Sequence, residues 1–217
     1  MDFFELNRRL RRLPFDDVDK FLQSHPSTYL SSNLRQRWLP QLAQRSQWQD
    51  FLNYYDASVV NSTSLQCQAL LAHHKTGDSG ALNQVTALWN VEHSQPKECD
   101  GIFKAWISAG KRTQALNWQR FNKAIDAGNR TLARYLAKSL QGQQLVLANL
   151  HLEIYSHPHR IRQRHRFQQQ TPAMQKIILH GITRYARHDP MTALYEWRRY
   201  DAQQLFKDQQ RLATQQQ

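Results

Sequence analysis

The chain has 217 residues and a mass of 25.7 kDa, enough for one ordinary domain or one array of helical repeats. It contains only seven glycines and seven prolines, which argues against a β-sandwich, a β-barrel or a glycine-rich nucleotide-binding fold. The formal net charge of +12 favours polyanionic surroundings: nucleic acid, an anionic membrane surface or an anionic cell-wall polymer. The basic excess lies mainly in residues 156–217, which hold 11 Lys and Arg against 4 Asp and Glu.

Apolar residues recur at steps of three and four along most of the chain, which is typical of amphipathic helices. The first such stripe begins at Phe3, a second follows Pro14, and a third runs from Tyr29 to Leu42. Pro40 is expected to kink or break the third stripe, because proline lacks the backbone N–H that a helix interior uses. Further stripes lie around Trp48, Leu65, Ala81, Ile102, Leu116, Leu132, Leu145, Met174 and Met191.

Three predicted helix ends share one pattern, in which glycine follows a small residue or threonine and precedes a polar residue. The glycines are Gly77, Gly110 and Gly128, and each is expected to take the left-handed conformation that caps a helix. Such short connections make consecutive helices antiparallel. The sequence therefore predicts an all-α fold, an irregular right-handed solenoid of antiparallel helix hairpins with at least ten helices and no sheet. We expect residues 1–217 to form one helical-repeat domain that ends in a frayed tail over about 202–217.

A strongly basic segment, residues 160–166, interrupts the helical pattern with the sequence RIRQRHR. Its four arginines, Arg160, Arg162, Arg164 and Arg166, are candidates for contact with a polyanion. Arginines at every second position do not stay on one face of a helix. The alternative is a solvated, irregular connection between two helices, and the residues alone leave both interpretations open.

The two cysteines, Cys67 and Cys99, lie near the ends of successive predicted helices. They could form a disulfide, remain as two reduced thiols, or join a metal site with His73, His74 or His93. Their spacing matches no zinc signature. Composition and spacing do not decide between the disulfide and the thiols.

The sequence predicts no catalytic, metal or cofactor site. No nucleophile-elbow, P-loop, zinc-protease or dinucleotide-binding motif occurs. None of the glutamates lies in an apolar stretch that would raise its pKa for general-acid work; they are Glu5, Glu92, Glu98, Glu153 and Glu196. The six tryptophans fall mostly on apolar stripes and are expected in the core. No run of 18 apolar residues occurs, so no membrane span is predicted, and the first twenty residues lack the apolar core of a secretory signal peptide.

A set of short motifs lies between residues 66 and 111. They are Gln66-Cys67, Lys75-Thr76-Gly77, Ala87-Leu88-Trp89, Ser94-Gln95-Pro96-Lys97-Glu98-Cys99-Asp100, and Ser108-Ala109-Gly110-Lys111. These residues resemble the superhelical U-shaped domain of the soluble lytic murein transglycosylases. The resemblance continues through Phe121, Ala127-Gly128-Asn129 and Leu136, so that residues 20–140 match best and residues 141–217 form a continuation.

The resemblance implies a periplasmic relative of enzymes that cleave the MurNAc–GlcNAc bond of peptidoglycan without water and leave 1,6-anhydro ends. The family's catalytic glutamate lies in a Glu-Ser motif of a lysozyme-like domain, followed by Gly-Leu-Met-Gln, and neither motif occurs here. The resemblance therefore implies an interior, non-catalytic helical scaffold, whose partners are glycan strands and the catalytic domain of the same enzyme. It also implies a disulfide between Cys67 and Cys99, because both match a bonded cysteine pair of the family.

A second interpretation is a stand-alone helical-repeat module of the cytoplasm that binds a protein or a polyanion. Nucleic-acid binding would make the affinity fall steeply with salt for any polyanion. Nucleic acid is the partner we expect least, and neither interpretation requires a cofactor.

Overall fold

The structure is a computed structural model that describes residues 5, 8, 15–26, 28–58 and 62–202. Within these residues it contains eleven α-helices, three short 3₁₀-helices and no strand. The prediction of an all-α fold with at least ten helices is therefore confirmed. The stripe predicted from Phe3 and the tail over residues 203–217 lie outside the described residues. In the part of the chain that is described, no helix is both long enough and apolar enough to span a bilayer.

The chain divides into two compact units, residues 1–113 and 114–217. The first unit holds α1 (Phe15–Ser24), α2 (Tyr29–Gln44), α3 (Trp48–Tyr54), α4 (Thr63–Lys75), α5 (Ala81–Trp89), a 3₁₀-helix η1 (Lys97–Cys99) and α6 (Asp100–Ser108). The second holds α7 (Gln114–Asp126), α8 (Arg130–Ala137), α9 (Gly142–Ser156), η2 (Pro158–Arg162), η3 (Arg164–Arg166), α10 (Pro172–Ala186) and α11 (Pro190–Asp201). The single domain expected over residues 1–217 stays a prediction.

Helix α2 runs without interruption through Pro40, contrary to the expected break. Thr28 caps its first turn, and the Thr28 side chain accepts a hydrogen bond from the Ser31 N–H at 3.2 Å. Leu39 and Leu42, which flank Pro40, are both fully buried. Burial of these side chains in the core offsets the hydrogen bond that proline cannot donate.

The three capping glycines behave as predicted, with φ of 99° at Gly77, 71° at Gly110 and 73° at Gly128. At each end, the glycine N–H and the N–H of the next residue donate to two carbonyls of the last helical turn. This is the Schellman arrangement, in which the final carbonyls of a helix are satisfied within the chain. The caps let the chain turn sharply, and the following helix begins within four residues.

A disulfide joins Cys67 of α4 to Cys99 at the end of η1, as the resemblance implied. Both cysteines are fully buried, and their Cα atoms lie 4.8 Å apart. Beside the bond, the Ser64 hydroxyl donates to Glu98 at 3.3 Å. The bond therefore ties the start of α6 to the middle of α4 across the intervening hairpin.

The core of the second unit brings α9, α10, α11 and η2 together. A side chain at Gly181 of α10 would place its Cβ 2.7 Å from Ile154 of α9 and 3.1 Å from Ile161 of η2. Glycine suits this position because the side chains of Ile154 and Ile161 occupy the space that a Cβ would need. The buried Tyr200 hydroxyl of α11 donates to the Ile161 carbonyl at 2.7 Å, which holds η2 against α11.

We predict that Cys67→Ser lowers the free energy of unfolding by about 2 to 4 kcal/mol under oxidising conditions, because the bond restricts the unfolded chain. The same substitution should have little effect in excess reductant. Denaturant unfolding with and without reductant measures both values, and Cys99→Ser serves as the matched variant because it removes the same bond. Two reactive thiols per chain in protein unfolded without reductant, after preparation under oxidising conditions, would contradict the bond.

Candidate functional site

The basic segment, residues 160–166, is folded into η2 and η3, and one carboxylate, that of Glu153, binds two of its arginines. Glu153, in the last turn of α9, accepts hydrogen bonds from Arg160 at 2.6 Å and from both Nη atoms of Arg166 at 2.6 and 2.8 Å. A guanidinium that binds both oxygens of a carboxylate forms the strongest common ion-pair geometry. The segment is therefore ordered by its contacts with α9, and polyanion contact by its arginines stays a prediction.

This pairing keeps Glu153 ionised. Hydrogen bonds from Arg166 lower the pKa of Glu153 to about 2; partial burial acts in the opposite direction, and the Arg160 hydrogen bond adds to the lowering. A carboxyl group in this state does not carry a proton near neutral pH. Glu153 therefore binds the two arginines as a carboxylate. A general acid must carry a proton near neutral pH, and Glu153 does not.

The four candidate arginines separate into two pairs with different environments. Arg160 and Arg166 bind Glu153. Arg162 is exposed and makes no ion pair among the described residues, whereas the Nε of Arg164 lies 3.8 Å from Oε2 of Glu196 on α11. The structure therefore does not present all four arginines as one free basic surface.

A recess of about 470 Å³ lies between this segment and α11, and we call it the arginine recess. Its charged and titratable lining consists of His159, Arg160, Arg162, Arg164, Glu196 and Arg199. Sequence reasoning missed Arg199 and Glu196 as neighbours of the basic segment, because they lie thirty or more residues after it and approach it only through the packing of α11. Four arginines thus line the recess with a single carboxylate.

The backbone that carries these arginines is fixed by buried contacts. Ile161 and Phe167, which flank most of the basic segment, are fully buried. The ring of Phe167 packs edge-on against Tyr200 at a centroid distance of 6.3 Å, and Tyr200 also binds the Ile161 carbonyl. The burial of Ile161 and Phe167 therefore positions the arginines that lie between and beside them.

An exposed tyrosine lies next to the recess on α11. Tyr195 is 56% exposed, and its hydroxyl accepts a hydrogen bond from Arg199 at 3.0 Å. The Arg199 guanidinium also lies 5.2 Å from the centre of the Tyr195 ring. Met191 and Leu194 on the same helix are exposed as well. This surface combines an aromatic ring with positive charge.

A histidine pair, also missed from the sequence, joins α9 to α10; His151 is buried and His180 is half-buried. Nε2 of His151 lies 2.7 Å from Nδ1 of His180, so one ring donates and the other accepts. Burial lowers the pKa of His151 to about 3 and that of His180 to about 4. Both rings are therefore neutral near pH 7, and their role in the described structure is to pair within the core.

The metal interpretation gains no support from the described residues. They contain no group of three His, Cys, Asp or Glu side chains that could hold an ion. The two cysteines are bonded to each other, His73 lies 3.6 Å from Asp78, and His93 lies 3.5 Å from Glu92. The tryptophans are mostly core residues, as predicted, since Trp38, Trp89, Trp106 and Trp197 are buried.

No protein-family model and no curated protein sequence matches the chain. Among solved structures, the lytic transglycosylase Slt of Pseudomonas aeruginosa, determined as an inactive mutant, is 31% identical over 97% of this chain, with a TM-score of 0.74. The chain resembles the soluble lytic transglycosylases. The resemblance predicted from the sequence is thereby confirmed.

Two further solved structures share the fold of this chain. The 70-kDa soluble lytic transglycosylase of Escherichia coli is 23% identical over 96% of the chain, with a TM-score of 0.80. A complex of the 70-kDa soluble lytic transglycosylase with bulgecin A gives the same identity and coverage, with a TM-score of 0.81. The chain spans 34% of the length of each of these transglycosylases. It therefore corresponds to a helical segment of such a protein.

We predict that Glu153→Gln lowers the free energy of unfolding by about 1 to 3 kcal/mol at pH 7, because it removes the charge that holds two arginines. The folded-state pKa of Glu153, about 2, lies below its ordinary value of 4.5. Its stabilisation is therefore complete above about pH 5 and is lost as the pH falls towards 2. Denaturant unfolding of both proteins at several pH values should show the difference between them shrinking over this range.

The matched control for this series is Glu98→Gln, which makes the same chemical change away from the arginine segment. It should change stability less than Glu153→Gln at pH 7. An equal loss from the two variants, or a difference for Glu153→Gln that does not vary between pH 7 and 2, would contradict the anchoring role.

Proposed function

We propose that the chain is a non-catalytic helical scaffold segment of a lytic transglycosylase. The proposed parent reaction is the non-hydrolytic cleavage of the MurNAc–GlcNAc bond of peptidoglycan, which gives 1,6-anhydro ends. The observation that carries the proposal is the 31% identity to a lytic transglycosylase over 97% of this chain, together with coverage of 34% of that relative. The proposed partners are the catalytic domain of the same enzyme and glycan strands.

The environments of the glutamates support a non-catalytic role. Cleavage of a glycosidic bond needs a carboxyl group that keeps its proton near neutral pH, which requires a raised pKa. Glu153 has a lowered pKa, and Glu98 accepts a hydrogen bond from Ser64 beside the disulfide. Glu196 is buried, and its Oε2 lies 3.8 Å from Nε of Arg164 in an ion pair.

Contact with glycan strands is supported by the surface of α11. Sugar rings stack on exposed aromatic side chains through their C–H faces, and Tyr195 offers such a ring beside Arg199. The carboxylates of the cell-wall polymer would be attracted by the nearby arginines and by the net charge of +12. We therefore propose that glycan strands contact the surface of α11 at Tyr195 and Arg199.

A periplasmic location is part of the same proposal. The Cys67–Cys99 disulfide supports it, because structural disulfides persist in oxidising compartments such as the bacterial periplasm and are rare in the cytosol. The bond also suits an open array of short helices, which has few long-range contacts of its own.

A second candidate function is a stand-alone module that binds a protein or polyanion. The observation that favours it is the arginine recess, where four arginines face one carboxylate. Such a module would bind any polyanion through its phosphates or carboxylates, with an affinity that falls steeply as salt is added.

Incubation with purified peptidoglycan sacculi tests the scaffold proposal. We predict that the chain releases no 1,6-anhydro muropeptides above the buffer control, and that it sediments with the sacculi. Tyr195→Ala should reduce the sedimented fraction about threefold, which corresponds to about 0.7 kcal/mol of lost stacking. Tyr29→Ala is the matched control, because Tyr29 is 81% exposed in the other unit and should not matter.

Two results would overturn parts of this proposal. Release of anhydro products that is lost on substitution of a glutamate would reveal an active site and contradict the non-catalytic role. Binding to heparin that equals or exceeds binding to sacculi, with the same salt dependence and no effect of Tyr195→Ala, would favour the polyanion module instead.

A further inference from the structure

The arginine recess contains two buried polar atoms that lack hydrogen-bond partners among the described residues. They are Nε of Arg164 and Oε2 of Glu196. The Glu196 side chain is 6% exposed, and the two atoms lie 3.8 Å apart, beyond hydrogen-bond distance. Buried polar atoms in folded proteins are usually hydrogen-bonded. A donor and an acceptor without hydrogen-bond partners on one recess wall therefore point to a binding site for a ligand that supplies both partners.

The two unpaired atoms differ in what they require. Nε of Arg164 is a donor and needs an acceptor, whereas the carboxylate oxygen Oε2 of Glu196 is an acceptor and needs a donor. A sulfate dianion offers acceptors only, and it would bring two negative charges close to a buried carboxylate. A group with a carboxylate and an ammonium side by side satisfies both atoms.

The remaining charges of the recess strengthen the carboxylate half of this requirement. Arg160 is already paired with Glu153, but Arg162 and Arg199 are exposed at the recess with no carboxylate within ion-pair distance among the described residues. Arg199 donates only to the Tyr195 hydroxyl in the described structure. Planar guanidinium groups bind carboxylates in two-point contacts, which lysine does not provide.

Arg162 also lies in the field of Asp189, the residue that caps α11. The Asp189 carboxylate is engaged with its own helix, since it accepts a hydrogen bond from the Thr192 N–H at 3.0 Å. It therefore reduces the positive potential near Arg162 without occupying the guanidinium. A ligand carboxylate still finds unpaired donors on Arg162, Arg164 and Arg199.

The site is built before any ligand arrives. Glu153 fixes Arg160 and Arg166, and the Tyr200 hydroxyl fixes the backbone at Ile161. Because the backbone of the recess is already ordered, it loses little conformational freedom when a ligand binds, and this favours the binding of a small molecule. Its volume of about 470 Å³ is enough for an amino-acid group.

We propose that the arginine recess binds a zwitterionic amino-acid group. Arg162, Arg164 and Arg199 receive its carboxylate, and Glu196 accepts a hydrogen bond from its ammonium. This inference goes beyond the scaffold function and does not depend on it, because a free amino acid or the zwitterionic centre of a longer molecule carries the same two groups.

Titration of the full chain with small probes tests the proposal, with backbone amide NMR shifts as the readout. Alanine carries both groups, N-acetylalanine only the carboxylate, alaninamide only the ammonium, and inorganic sulfate only acceptors. We expect alanine to bind saturably and to shift the amides of residues 159–164 and 196–199. Each of the other three probes should bind at least about tenfold more weakly, a loss of about 1.4 kcal/mol.

Two variants and a control separate the roles of the side chains. Glu196→Gln should abolish the preference for alanine over N-acetylalanine, because it removes the charge that binds the ammonium. Arg162→Gln should weaken alanine and N-acetylalanine alike, and its exposed position leaves the fold intact. Lys104→Gln removes the same unit of charge from an exposed site in the other unit and should change neither affinity.

The proposal is overturned if sulfate binds as tightly as alanine, which would make the recess a general anion site. It is also overturned if no probe shifts the recess amides saturably, which would mean that a water molecule alone bridges Arg164 and Glu196. Should Glu196→Gln fail to fold, the ranking of the four probes on the unaltered chain and on Arg162→Gln still decides the question. Either of these two outcomes would concern the arginine recess alone, and the scaffold proposal tested with sacculi would stand or fall independently of it.

Discussion

The arrangement of the basic segment, residues 160–166, depends on one carboxylate, that of Glu153. Four arginines within seven residues repel one another, and a chain segment of this composition would ordinarily remain extended in solvent. Glu153 neutralises the first and last of the four and draws both towards the end of α9. With those two held, the alternate positions are free for Ile161 and Phe167 to enter the core, and Arg162 and Arg164 are left at the recess.

Much of the fold was predictable because its determinants are local. The glycine caps at Gly77, Gly110 and Gly128 depend on the few residues around each helix end, and all three have the expected positive φ. Helix existence follows from the apolar period in the same way. Pro40 is the exception, since its effect was decided by the burial of its neighbours in the core, a tertiary property that local rules do not contain.

The candidate site was only partly predictable, because its contacts are not local. The sequence identified the four arginines but not their partners: Glu153 is 13 residues before Arg166, and Glu196 lies 32 residues after Arg164. The pairing of His151 with His180 spans 29 residues and depends on the close approach of α10 to α9 at Gly181. The disulfide became predictable only through the resemblance to a family, since the spacing of the two cysteines alone left a pair of thiols equally open.

These features belong to a chain that resembles the soluble lytic transglycosylases. The chain has the fold of a helical segment that spans 34% of such proteins, and its two units are made of short helices closed by glycine caps and, in the first unit, by a disulfide. Glu153 orders the segment that forms the arginine recess, and this recess lies next to the exposed ring of Tyr195.

Amide hydrogen exchange over residues 160–167 tests this anchoring most directly. In the described structure, the N–H groups of Gln163, Arg166 and Phe167 each donate to a carbonyl three residues earlier. If Glu153 holds the segment in place, these amides should exchange at least about tenfold more slowly than in an unfolded chain, and the protection should be lost in the Glu153→Gln variant. Exchange at unprotected rates in the unaltered chain, or protection that survives the substitution unchanged, would contradict the account.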